Sequence, residues 1–166
     1  MKIWFLLCLL YGTVQAQSVY NKNEEIVNFV KTNGSKIAPT YKQAVCTELV
    51  IEVLQHFYTL NGTDKRRIRI ITSKNIYELL NQNSSIPKGV YFALIKKKIG
   101  KSIPKNQVKE GDFVQFWNDA WGHCGIVKSI NYDNNSMELY SSFPSTNGYG
   151  IQSFNIPKHC FFVRLK

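Results

Sequence analysis

The clearest periodic signal in the chain lies between Val45 and about Tyr58, where Cys46, Leu49, Val50, Val53, Leu54 and Phe57 recur at the spacing of one helical face. That stretch predicts an amphipathic helix, with Asn61-Gly62 as its stop signal. A shorter helix is expected over 22–32, with Ile26, Val27, Phe29 and Val30 apolar and Asn33-Gly34 ending it. Weaker helical patterns occupy about 74–81 and 89–98, and Asn81 to Pro87 reads as a loop between them. Beyond this point the period changes. Phe113–Trp117, His123–Ile130, Met137–Phe143, Tyr149–Phe154 and Phe161–Leu165 are short apolar or alternating runs separated by Gly, Asn, Asp and Pro, which predicts about five strands. Helices first and an antiparallel meander afterwards make an α+β domain.

The extreme N-terminus stands apart from this pattern. Met1-Lys2 precedes the apolar run Ile3–Tyr11, and Val14-Gln15-Ala16 follows as a small-residue site, the layout of a secretory signal cleaved after Ala16. The run is too short to span a bilayer as a helix. The expectation is therefore a signal peptide at 1–16, one domain over 17–166, and a secreted or periplasmic, monomeric protein without a stable membrane anchor. No internal repeat or low-complexity tract divides that domain.

Charge narrows the partners. The chain carries a net charge of +10, and losing Lys2 with the signal leaves 20 basic against 11 acidic side chains, a net +9. Clusters at Lys65-Arg66-Arg67 and Lys96-Lys97-Lys98 favour an anionic partner, or form an ordinary solvated face. For an exported protein the expected polyanion is an envelope polymer. No nucleic-acid partner is expected, because no recognition motif accompanies the charge. Four Asn-x-Ser/Thr triplets, at Asn33, Asn61, Asn83 and Asn134, arise easily in an Asn-rich chain and decide nothing.

The cysteines raise a chemical question. Outside the leader stand Cys46, Cys124 and Cys160, too few for a disulfide-built scaffold and one too many to pair completely. Cys46 opens the strongest helix, where the positive helix end and unpaired amides favour a thiolate and can bind an oxyanion. A small buried core residue is the plainer reading of a cysteine there. Among the three histidines, His56 falls within a helix and His159 in a turn, while His123 opens a strand and is the best candidate base. Strand alternation then turns Cys124 away from His123, as a core thiol or a partner for Cys160, with the core thiol favoured. A zinc site from His123, Cys124, His159 and Cys160 lacks the usual paired-ligand spacing, so no metal is expected. Tyr41 and Trp121 are expected to bind substrate at the cleft, with Trp117 either beside them or in the core.

The order of these features resembles the NlpC-type and CHAP-type cell-wall amidohydrolases, which are papain-like. A cysteine opens a helix in Tyr41–Val50, Gly111-Asp112-Phe113-Val114 turns into a strand, and Gly122-His123-Cys124-Gly125-Ile126-Val127 follows. The likeness covers roughly 40–155 and is strongest from Gly111 to Val127. It implies a cysteine peptidase or amidase that cuts peptide or amide bonds of peptidoglycan through a thioester, without a cofactor. Cys46 would be the nucleophile and His123 the base. Those families usually open the nucleophile helix with Asp-Cys-Ser-Gly, whereas this chain has Val45-Cys46-Thr47-Glu48. They also place a polar residue on the next strand to orient the histidine. If 131–136 forms the hairpin loop, Ile130 pairs with Met137 and Ser142 falls opposite Gly125, which makes Ser142 the nearest third catalytic residue and Tyr140 the next. The alternative is a non-catalytic, basic polymer-binding module on the same fold.

Overall fold

The computed structural model describes residues 21–166, so the signal peptide expected over 1–16 lies outside the described residues. Five α-helices precede an antiparallel sheet. They are α1 (Lys22–Ile37), α2 (Cys46–Phe57), α3 (Gly62–Arg69), α4 (Ile76–Asn81) and α5 (Gly89–Lys96). The strands are β1 (Gly100–Ile103), β2 (Phe113–Trp117), β3 (Gly122–Asn131), β4 (Ser136–Phe143), β5 (Gly148–Asn155) and β6 (His159–Leu165), in the order β1-β6-β2-β3-β4-β5. The α+β class is as the pattern predicts. The sheet has six strands rather than about five because Gly100–Ile103 pairs along β6 as an edge strand, too short to show a period of its own.

Two helix signals act differently from their sequence reading. Helix α1 runs through Asn33-Gly34 to Ile37, because the Tyr149 ring packs where a side chain on Gly34 would be, 2.4 Å from an added Cβ. The glycine is there for close approach, and tertiary packing outweighs its cost of about 1 kcal/mol in a helix. Asn61-Gly62 is a start rather than a stop. The Asn61 side chain accepts from the Asp64 amide at 2.9 Å and Asp64 returns a bond from the Asn61 amide at 3.1 Å, a capping box that opens α3.

Alternation on the strands builds two apolar layers. Phe113, Cys124, Ile126, Tyr140 and Val163 face the helices and pack with Ile26, Val30, Leu49, Val50, Val53 and Leu54. Each of those helix residues is fully buried, which stabilises the fold by about 1.5–3 kcal/mol apiece for the large aliphatics. Val114, Phe116, Val127, Met137, Leu139, Phe143 and Phe162 form a second cluster on the other face. Helix α2 therefore lies across β3 and β4, with its N-terminus near the start of β3.

Asp112, from the Gly-Asp turn, is a fully buried carboxylate that ties three elements together. It accepts from Arg164 Nε and Nη2 at 2.6 and 2.7 Å, from Asn23 Nδ2 at 3.0 Å and from the Lys109 amide at 2.9 Å. Its role is to fix where β2 begins. The two basic clusters are neighbours around another buried acid: Lys97 and Arg67 reach Asp64 at 2.9 and 3.5 Å, so part of that charge is compensated within the protein.

Candidate active site

Cys46 is the first residue of α2, and the residue before it makes this helix end unusual. Val45 sits at the N-cap with an extended backbone and has no side-chain atom able to cap the helix. Ser, Thr, Asn or Asp at that position contributes about 1 kcal/mol by accepting from the first amides. Here the carbonyl of Val45 takes the Glu48 and Leu49 amides, while those of Cys46 and Thr47 have no side-chain cap. A helix of three turns thus presents its positive end beside a thiol.

The cavity in front of that end has a volume of about 220 Å³ and is bordered by Cys46, Arg69, Gln115, Trp117, His123 and Cys124, among others. The Cys46 thiol is held well below the ordinary range of cysteine. The leading cause is a hydrogen bond from the Cys124 thiol; burial opposes it, and His123 lowers it further. Cys124, wholly buried, is pushed the other way by its bond to Cys46 and by desolvation. The pair therefore holds its negative charge on Cys46. Arg69 grips Glu48 in the first turn of α2 with two bonds of 2.7 Å, which keeps that carboxylate's charge balanced beside the thiol.

His123 reaches this cavity from the opposite side to the one its strand position suggests. Cys124, not His123, faces the helices, and the His123 ring lies with the second cluster, stacked on Phe143 at 4.9 Å and 17° and flanked by Phe116 and Phe154. Because His123 stands at the end of β3, its ring borders both the Cys46 cavity and a second one of about 420 Å³ lined by Tyr41, Trp121, Phe143 and Phe154. Tyr41 and Trp121 are thus brought together beside His123. The Tyr41 phenol is pushed up by burial and by the neighbouring sulfurs of Cys46 and Cys124, which places it near the thiol as well. Trp117 donates to the Pro87 carbonyl at 2.7 Å and its ring covers Gly122, where an added Cβ would lie 2.4 Å away, so its part is structural.

Ser142 is not where the sequence pairing puts it. Ile130 does pair with Met137, but the ladder shifts between Val127 and Ser129, so that Val127 meets Leu139 and Ile126 meets Tyr140. This bulge moves every later partner by one and turns Ser142 to the helix side. Its hydroxyl donates to the carbonyl of Ala44, two residues before Cys46. Tyr140, the second candidate, donates to Glu110 at 3.2 Å. Neither touches His123, whose Nε2 is buried with no hydrogen-bond partner. Aromatic stacking holds the ring instead of a polar third residue.

Two residues that sequence reasoning missed complete the site. Gln115, buried at 2 % exposure, donates from Nε2 to the His123 carbonyl at 3.0 Å and so fixes the backbone that carries the imidazole. Its signal was a lone amide in the apolar run Phe113–Trp117. Cys124 is a buried core thiol on the opposite face from His123, as alternation predicts, but that face is the one toward Cys46 rather than away from it. Cys46, Cys124 and Cys160 are all free thiols, and Cys160 lies with the second cluster, on the other face from Cys124. Among the described residues no group of three or more His, Cys, Asp or Glu is arranged to hold a metal ion. Among them also, no helix is long and apolar enough to cross a membrane. Compared with known proteins, the chain matches no family model and no curated sequence at a significant level.

Proposed function

We propose that this protein is a secreted, papain-like cysteine hydrolase that cleaves peptide or amide bonds of peptidoglycan. The single observation that carries the reading is the cavity at the uncapped end of α2, where a thiol held well below the ordinary cysteine range shares one space with an imidazole. The Cys46 sulfur attacks the amide carbonyl, and the charge that develops on oxygen is met by the amides of Cys46 and Thr47 at the helix end. His123, which takes the proton of the Cys46 thiol as the sulfur attacks, delivers it to the departing amine. A water, deprotonated by the same ring, then releases the thioester and restores the thiol. The aromatic cavity of Tyr41 and Trp121 holds the flanking sugar or peptide portion of the substrate. The motif order shared with NlpC-type and CHAP-type enzymes points to the cell-wall polymer, and the basic surface suits an anionic envelope.

One observation favours a second reading, a polymer-binding module without catalysis: His123 has no polar group to orient it. Purified peptidoglycan incubated with wild type, Cys46→Ala and His123→Ala separates the two. New fragments from the wild type alone, identified by mass spectrometry, support the hydrolase. Equal polymer retention by all three proteins with no fragments would establish the binding module in its place.

A further inference from the structure

Cys124 tunes the Cys46 thiol but forms no bond to substrate in the hydrolytic chemistry, and it shares the cavity of Cys46. Cys46 packs on the core cluster that contains Cys124, the two border the same cavity, and each is the leading influence on the other's thiol, as expected of close neighbours. Cys46 is partly open to solvent, whereas Cys124 is fully buried behind it. Cys160 sits on the other face of the sheet, where burial pushes its thiol up to about 12. The molecule thus holds a partly exposed thiol of lowered pKa, a buried thiol on the same cavity, and a third thiol on the other face of the sheet.

We propose that Cys46 and Cys124 form a two-cysteine peroxide-reactive site, in which Cys46 is oxidised by a hydroperoxide and Cys124 resolves it to an intramolecular disulfide. In the first step the Cys46 thiolate attacks the distal peroxide oxygen, the O–O bond breaks, and the departing alkoxide or hydroxide takes a proton to leave as alcohol or water. The sulfur is oxidised to a sulfenic acid and the peroxide is reduced. In the second step the Cys124 sulfur attacks the Cys46 sulfur. The S–S bond forms, the S–O bond breaks, and the hydroxyl leaves as water with the Cys124 proton. The first step eases the second, because the charge on Cys46 is one of the causes that keep Cys124 protonated, and the neutral sulfenic acid removes it. A bonded Cys46 can neither attack a carbonyl nor be alkylated, so the site would switch off the thiol until a dithiol reductant reopens it.

This inference does not rest on the hydrolase reading, since it is tested on sulfur alone. The purified protein is treated with hydrogen peroxide, the remaining thiols are blocked, and the unreduced protein is digested and mapped by mass spectrometry. The expected result is loss of two hydrogens, one peptide pair joined through Cys46 and Cys124, a blocked Cys160, and full recovery of Cys46 alkylation after dithiothreitol. Cys124→Ala should instead collect sulfenic and then sulfinic acid on Cys46. Over-oxidation of Cys46 in the wild type without the cross-link, a bridge to Cys160 or only between molecules, or a Cys46 inert to peroxide would each overturn the proposal. The wild-type map decides even if the variant fails to fold.

Discussion

The hydroxyl of Ser142 donates to the carbonyl of Ala44, joining β4 to the short segment that leads into α2 and Cys46. Both groups are buried, and the bond spans 98 residues of chain.

Replacing Ser142 with Ala leaves the Ala44 carbonyl buried and unpaired, at a cost of about 1–3 kcal/mol. Urea denaturation should show that loss. Because Ser142 acts on the backbone and not on the imidazole, the pH midpoint of Cys46 alkylation should stay where it is. A shifted midpoint would restore the orienting role that the sequence pairing suggested.

Cys46 should be the first thiol to react with iodoacetamide, and it should keep reacting at pH 6. An ordinary cysteine with a pKa near ~8.5 is less than about 1 % thiolate there. A lowered pKa means that the anion persists as pH falls and is lost only in more acid solution. Cys124→Ala removes the largest cause of the shift, so the midpoint should move towards the ordinary value. Peptide-resolved labelling rates across pH 4–9 measure both.

Asp112→Ala should be among the most damaging single changes. It leaves the partly buried Arg164 guanidinium without its carboxylate and frees Asn23 and the Lys109 amide as well. Breaking a buried pair from one side costs about 3–5 kcal/mol. A midpoint of urea unfolding equal to that of the wild type would contradict the account of this turn.

Gly34→Ala sets two effects against each other. Alanine gains about 1 kcal/mol of helix propensity, while a Cβ 2.4 Å from the Tyr149 ring forces repacking that costs about 1–3 kcal/mol. The net change should be destabilising, and combining it with Tyr149→Ala should recover the propensity gain as a coupling of opposite sign.

Trp121 is 44 % exposed and meets Phe116, His123 and Phe154 edge-on beside the aromatic cavity it lines. Trp121→Ala should change stability little while weakening substrate binding, seen as a higher KM for peptidoglycan fragments with kcat largely kept. An unchanged KM would place the substrate elsewhere.

Local pattern determined a good deal of this protein. The apolar period of α2 placed Cys46 at a helix start, the runs after Phe113 gave five of the six strands, and the odd cysteine count singled out a thiol to be explained. These features are written in neighbouring residues, where a period of 3.6 or 2 is enough to read them. What only the tertiary structure decided depends on how strands are paired and which face meets the helices. The ladder shift between Val127 and Ser129 exchanged Ser142 for Phe143 beside His123, and the side of the sheet covered by α2 put Cys124, rather than His123, on the face that carries Cys46. A one-residue slip costs nothing in local propensity yet reverses every side chain beyond it, so the identity of the groups around Cys46 is a property of the folded sheet.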